Sequence, residues 1–249
     1  MNDIYKNVTI AIPAHLGSER LFEKVLVDIK GKPMLLRVLD QCAKAIDKKS
    51  VYVVTPDKKI GDFVKEWGYN SLESKQGLPD GTSAIASVVD KIDAEFIVNI
   101  QADHPLIEPD LIRALIDNLI KGTSDLVTPV YRITKTIDLE DDGVAKVIRD
   151  LNGYALYFSR TAIPYVRNKK MEEWANQCPF WGHYGIYGYA KNVLQNLNNL
   201  KDSYLEKNEK LEQLRFLQNG LKILTFETDY RQFAVDTKED LQKIWNLID

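Results

Sequence analysis

Cysteine is scarce in this sequence: Cys42 and Cys178 are the only two among 249 residues. They stand far apart, with no CxxC pair and no Cys/His spacing of a zinc site, which excludes a disulfide framework and a structural zinc centre. Long apolar runs are missing as well. No stretch approaches the roughly 18 apolar residues of a membrane span. The opening MNDIYKNVTIAIP has too short an apolar run for a secretory signal. Net charge is small: 33 Lys and Arg stand against 36 Asp and Glu, for a formal −3. That balance leaves room for a local anion pocket but argues against a nucleic acid partner. Neither a Walker A loop nor a GxGxxG motif occurs, so ATPase and dinucleotide readings lose their main support. These absences lead us to expect a soluble cytoplasmic protein without a membrane partner.

What is present alternates between two kinds of segment. Val8 to Pro13, Val51 to Val54 and Phe96 to Ile100 are short, nearly continuous apolar runs, as buried parallel strands should be. Between them lie helical patterns. Met34, Leu35, Val38, Leu39, Cys42, Ala43 and Ile46 recur at three- and four-residue spacing behind Pro33, which suits a first helical position. Further helices are expected from about Lys58 to Gly68, from near Thr82 through Ile92, and from Pro109-Asp110 to Lys121-Gly122. This rhythm predicts an α/β fold with a doubly wound, mostly parallel sheet. After about residue 130, the segments Val144–Arg149 and Tyr154–Phe158 flank Asn152-Gly153, a strong hairpin signal. Residues 205–219 read as one helix capped by Gly220, 221–227 as a strand and 237–248 as a closing helix. We therefore expect a single domain over 1–249, with a core of about 1–130 and 205–249 and an antiparallel excursion of about 131–204.

Ligands of open parallel sheets bind beyond the carboxyl ends of the strands, and two loops there carry usable chemistry. The first, residues 13–24, holds Gly17, Ser18, Arg20 and Lys24, suited to phosphate oxygens or equally to an ordinary charged surface. The second, Gln101-Ala102-Asp103-His104-Pro105, offers a carboxylate that can hold Mg²⁺ against a phosphate, or simply a turn residue. Asp236, just before the last helix, reads by itself as an N-cap.

The longer segments are more specific. IPAHLGSERLFEKVLVDIKGKPM (12–34) resembles the N-terminal signature of cytidylyltransferases that activate 3-deoxy-manno-octulosonate (Kdo). The likeness continues in order through IVNIQADHPLI (97–107), VAKVIRDLNGYALYFSRTAIP (144–164), HYGIYGY (183–189), KLEQLR (210–215) and VDTKEDL (235–241). It implies a nucleotidyltransferase that joins CTP to Kdo, giving CMP-Kdo and pyrophosphate for lipopolysaccharide or capsule synthesis, with Mg²⁺ as cofactor and a homodimer as assembly. By the same resemblance Asp103 and Asp236 are metal-binding and catalytic, together with Arg20 and Lys24. Ala14, His15, Leu16, Arg20, Lys24, Asp80, Gly81 and Asp103 belong to the nucleotide side. Gln101, Arg160, His183, Tyr187, Glu212 and Gln213 belong to the sugar side, with Arg160 suited to a carboxylate and the others to hydroxyls. Tyr154, Tyr157 and Phe158 could supply the dimer surface.

Departures from the family pattern cluster on the nucleotide side. His15 replaces an Arg, and Glu23 puts a carboxylate beside the phosphate loop. Leu78-Pro79-Asp80-Gly81-Thr82-Ser83 stands where the family reads close to QSGTER, so Asp80 is a candidate acceptor for the cytosine amino group. Ala102 and His104 replace the more usual Gly and Glu. Two alternatives stay open: the same chemistry on another sugar acid, such as 8-amino-Kdo or a nonulosonate, or a catalytically weakened homologue that binds nucleotide or sugar. Locally, Arg20, Lys24, Lys30, Lys32 and Arg37 outnumber Glu19, Glu23 and Asp28, so the loop region is basic within an acidic chain.

Overall fold

The computed structural model describes residues 3–18 and 21–248. Its strands are β1 (Val8–Pro13), β2 (Asp28–Ile29), β3 (Lys32–Pro33), β4 (Val51–Thr55), β5 (Asn70–Glu73) and β6 (Phe96–Asn99). They continue with β7 (Leu126–Ile133), β8 (Lys146–Arg149), β9 (Ala155–Ser159), β10 (Phe180–His183), β11 (Tyr187–Ala190) and β12 (Leu224–Thr228). The apolar runs β4, β1 and β6 pair in parallel, with the polar β5 at the edge beside β4, in the order β5-β4-β1-β6. From there the sheet turns antiparallel. β11 pairs with β6 and β7, β10 with β7 and β8, and β8 with β9, while β12 returns parallel to β7. All except the small β2–β3 ladder belong to one ten-stranded sheet, an α/β architecture with the antiparallel excursion that the second half of the sequence suggested.

Period-two alternation sorts the strand residues between two cores. Ile10, Ile12, Val51, Val53 and Val98 pack under helices Met34–Ala45 and Pro109–Ile120, whose Leu35, Leu39, Leu111 and Leu115 are fully buried. Ala11, Val54 and Ile97 face the other way, against Ile85, Leu194, Leu214 and Phe216 of shorter helices. Cys42 lies in the first core, and burial pushes its thiol well above the ordinary range, so it stays unreactive. Among the described residues, no helix is long and apolar enough to cross a membrane.

Several local expectations change. Pro33 ends the β2–β3 ladder opposite Asp28, and the helix starts one residue later at Met34. The helix near Thr82 spans only Gly81–Ala86, followed by a 3-10 turn over Val89–Lys91. The single helix over 205–219 is two, Tyr204–Glu209 and Gln213–Gln218, separated by Lys210 in a left-handed conformation (φ 52°). Phe158 is fully buried and offers no surface, while Tyr154 and Tyr157 are half-buried. The hairpin at Asn152-Gly153 holds, with Gly153 at φ +86°, a conformation that suits glycine.

Candidate functional site

The carboxyl ends of β1 and β6 open toward one side, where β11 begins with Tyr187 opposite Asn99. Two cavities of about 410 Å³ each meet there. Pro13, Ala14, His15, Ser18, Lys24, Val25 and Ala102 line the first. Arg160, His183, Tyr187, Lys210, Glu212, Gln213 and Gln232 help line the second. Gly81, Gln101, Asp103 and Asp236 belong to both. The shared wall thus carries the two carboxylates singled out in the sequence.

Their convergence has a local cause. Asp103 lies in the loop after β6, and its carbonyl accepts a hydrogen bond from the Val235 amide at 3.0 Å, which brings Asp236 alongside. Asp236 is not the helix cap. Thr237 takes that role, in a reciprocal capping box with Asp240, and the Asp236 carboxylate turns to the site. Lys24 donates to Asp103 Oδ2 at 2.7 Å and to Asp236 Oδ1 at 2.9 Å. Burial opposes charge on Lys24 and Asp103. Even so, the two carboxylates hold the Lys24 ammonium above its usual value. The fields of His104 and Lys24 outweigh burial at Asp103 and hold its carboxyl below the usual range.

Lys24 also tests whether these residues fit a metal ion. Two hard oxygen donors already converge on one cationic atom, as a divalent cation that keeps part of its coordination for water or phosphate requires. Among the described residues no third His, Cys, Asp or Glu completes an all-protein cage. The donor set therefore suits Mg²⁺ shared with a phosphate substrate rather than a closed structural site.

The other candidates divide. Ala14 lines the first cavity, but its amide is used by the Val54 carbonyl at 2.9 Å. His15 is exposed on the same wall. Leu16 lines neither cavity; its amide donates to Asp57 at 2.8 Å. Arg20 lies outside the described residues. Glu23 does not burden the phosphate loop, because its carboxylate accepts from Lys59 at 2.6 Å. Asp80 faces the second cavity, not the first, and both its oxygens are engaged: it caps helix Gly81–Ala86 through the Ser83 amide at 2.6 Å and pairs with Arg215 at 3.1 Å.

On the second cavity, His183 bonds Thr128 at 2.9 Å and approaches Gln213 at 3.5 Å, and Gln213 accepts from the Tyr187 hydroxyl at 3.0 Å. Burial, reinforced by Arg160, pushes the His183 imidazole down to about 3, so it is neutral at physiological pH. Arg160 does not present an open fork. Its guanidinium donates to the carbonyls of Glu209, Asp142, Gly143 and Lys210, fastening the loops at the cavity mouth. Gln232 was missed in the sequence. It reaches the cavity from a stretch without regular structure, beside His104 Nε2 at 2.9 Å, and no periodicity or motif marks it.

Residues 9–223 match the family model described as "Cytidylyltransferase". The chain is 38% identical over 239 residues to the 3-deoxy-manno-octulosonate cytidylyltransferase of Chloroherpeton thalassium, covering 94% of this chain and 95% of that protein. It is 40% identical over 247 residues to the enzyme of the same name from Thermodesulfovibrio yellowstonii, covering 94% and 96%. The structure of CMP:2-keto-3-deoxy-manno-octonic acid synthetase complexed with CTP superposes with a TM-score of 0.90 at 33% identity, over 97% of this chain and 98% of that one. A thymidylyltransferase structure from Bacillus anthracis, 16% identical with a TM-score of 0.68, shares the fold. The chain belongs to the 3-deoxy-manno-octulosonate cytidylyltransferase family.

Proposed function

We propose that this protein joins CTP to Kdo, releasing pyrophosphate and CMP-Kdo for lipopolysaccharide or capsule synthesis. The observation that carries this reading is the pair of cavities meeting at Asp103 and Asp236. In the reaction the anomeric 2-hydroxyl of Kdo attacks the α-phosphorus of CTP. A new P–O bond forms, the bond from the α-phosphorus to the bridging oxygen of the β-phosphate breaks, pyrophosphate leaves with that electron pair, and the hydroxyl proton passes to solvent. Each substrate then occupies its own cavity, and the reacting atoms meet at the shared wall. Bound by Asp103 and Asp236, Mg²⁺ would neutralise triphosphate oxygens and stabilise the charge that develops during transfer.

The chain's own residues supply positioning. Lys24, with Arg20 from the same loop, contributes positive charge on the nucleotide side, where His15, Ala14 and Gly81 form the wall. Gln101 donates to Asn99 Oδ1 at 3.2 Å, which orients its amide and leaves its carbonyl oxygen for a sugar hydroxyl. Tyr187, Gln213 and neutral His183 form a connected set of donors and acceptors for the sugar. Arg160 acts on the same wall by holding loops 141–143 and 209–210 in place. Leu16 would act through its backbone fold rather than by contact. Asp80 stands on the sugar wall.

The same reading places the enzyme in the cytoplasm as a single domain and a homodimer. Continuity of the sheet through β12 supports one domain. Exposed Leu156 on β9, at one end of the sheet, and exposed Tyr165 offer apolar surface to a second copy.

Pyrophosphate release with Mg²⁺, measured for CTP and UTP against Kdo, 8-amino-Kdo and N-acetylneuraminate, tests the proposal. Turnover is expected with CTP and Kdo; nucleotide binding without turnover on any pair would overturn it. A second measurement concerns His15. Replacing it with arginine adds a permanent cation with several donors beside the triphosphate. His15→Arg should lower the KM for CTP by about tenfold, with the KM for Kdo unchanged. No change in the CTP value would detach His15 from the nucleotide.

A further inference from the structure

A sugar acid brings a carboxylate into the second cavity, and that wall is poor in open positive charge. Among the described residues, Arg160 and Lys210 are the Lys and Arg side chains that line it, against Asp80, Asp103, Glu212 and Asp236. An anionic substrate needs a cation there with donors to spare.

Arg160 has few to spare. Its Nε donates to the Glu209 carbonyl at 3.1 Å, one terminal nitrogen to the carbonyls of Asp142 at 3.0 Å and Gly143 at 3.3 Å, and the other to the Lys210 carbonyl at 3.1 Å. With all three nitrogens engaged, no edge of the guanidinium is left for the paired bonds by which arginine holds a carboxylate. Lys210 is in the opposite condition. It is exposed, and its ammonium makes no hydrogen bond or ion pair with the described residues. It lines the second cavity and is absent from the lining of the first, so its charge belongs to the sugar side.

The backbone at Lys210 is a second, independent sign. Lys210 closes helix Tyr204–Glu209 in the left-handed conformation, at φ 52° and ψ 46°, with its amide on the Glu206 carbonyl at 2.8 Å. Such a helix end ordinarily takes glycine, which meets no penalty there, whereas a residue with a Cβ is strained. The strain is held from outside the helix. Arg160 takes the carbonyls on either side of the turn, and the Glu209 carboxylate accepts from the Arg160 amide at 2.8 Å. The fold thus keeps a side chain where glycine would serve the helix better, and strain of this kind gathers at functional sites.

We propose that Lys210 receives the carboxylate of the sugar acid, while Arg160 acts behind it as a positioning residue that fixes the backbone presenting it. This rests on the sugar-side reading of the cavity and adds to it a binding residue. A lysine ammonium offers three donors and no acceptor, so it can meet a carboxylate as a point charge without the flat alignment that arginine demands.

The test uses the full-length enzyme with CTP and Mg²⁺, and compares Kdo with its C1 methyl ester, which keeps every hydroxyl and lacks the negative charge. Lys210→Met should raise KM for Kdo by about tenfold to a hundredfold, the scale of a charge-assisted hydrogen bond, with KM for CTP unchanged. The ester, read as a competitor of Kdo, should bind wild type and Lys210→Met alike. Lys210→Arg, which restores the charge, should recover most of the affinity for Kdo. Lys210→Gly separates binding from folding. It relieves the left-handed turn, so the melting temperature should hold or rise while KM for Kdo rises as it does in Lys210→Met. An unchanged KM for Kdo in Lys210→Met and Lys210→Gly, an equal loss for Kdo and its ester, or a matching rise in KM for CTP overturns the proposal and leaves the assigned reaction standing. A wild-type enzyme that does not turn over Kdo overturns the assigned reaction, and this inference with it.

Discussion

Asp103→Asn should reduce kcat by about a thousandfold, the scale on which a single charged group at a reacting centre acts. The substitution keeps the size of the side chain and one acceptor oxygen, so the Lys24 ammonium at 2.7 Å can remain in place. What disappears is half of the carboxylate pair on the wall common to both cavities. Calorimetric titration with Mg²⁺ in the presence of CTP should show the parallel loss of metal affinity, and excess Mg²⁺ should not restore the rate. A kcat within tenfold of wild type would remove Asp103 from the centre of the reaction. Stability provides a separate check with a definite sign. The folded-state carboxyl of Asp103 is held below its usual range, so its contribution is present above the unfolded value and is lost as pH falls through the folded one. Wild type and Asp103→Asn should therefore differ in melting temperature near neutrality and converge in acid.

The parts of this architecture that depend on local pattern were legible in the chain. Val8–Pro13 and Phe96–Asn99 are apolar on both faces because they lie in the interior of the sheet, and the loop carrying Asp103 follows from the rule that ligands sit beyond such strand ends. Asp236 was not legible in that way. Asp before Thr at a helix start reads as a cap, and only the family resemblance placed it in the site. The structure shows why the local reading fails, since Thr237 caps the helix and frees Asp236 for Lys24.

The break at Lys210 shows the same limit for secondary structure. Nothing in residues 205–219 interrupts a helical pattern. The interruption comes from Arg160, about fifty positions earlier, which takes the carbonyls of Glu209 and Lys210 at 3.1 Å each. Glu209 answers by accepting from the Arg160 amide at 2.8 Å and the Ser159 hydroxyl at 3.0 Å. Such a tertiary clamp overrides local propensity, and no window of sequence contains both halves of it. Glu212 owes its place at the cavity to this break, because it begins the second of the two helices rather than lying in the middle of one. The altered nucleotide loop has a similar resolution. Glu23 looks like a misplaced charge in the sequence, but Lys59, from helix Lys58–Glu66 after β4, pairs with it.

Gly81→Ala is expected to damage the binding of both substrates at once. Gly81 opens helix Gly81–Ala86 and belongs to both cavities. A Cβ at this position would lie 2.7 Å from Pro13 Cγ and 3.2 Å from Pro13 Cβ. Pro13 ends β1, and its ring cannot rotate away as a flexible side chain could. The helix start must move instead, and it carries Asp80, which pairs with Arg215 at 3.1 Å, and Thr82, whose hydroxyl bonds Tyr189 at 3.1 Å. Overpacking of this kind costs about 1–3 kcal/mol, or a fall of roughly 2–12 °C in melting temperature for a domain this large. KM should rise by about tenfold or more for CTP and for Kdo alike, because an error of about an ångström in positioning is already costly. His15→Ala provides the contrast, since His15 lines only the first cavity and its loss should raise KM for CTP alone. If Gly81→Ala affected one substrate and spared the other, the common wall would not be the place where the two reactants are brought together.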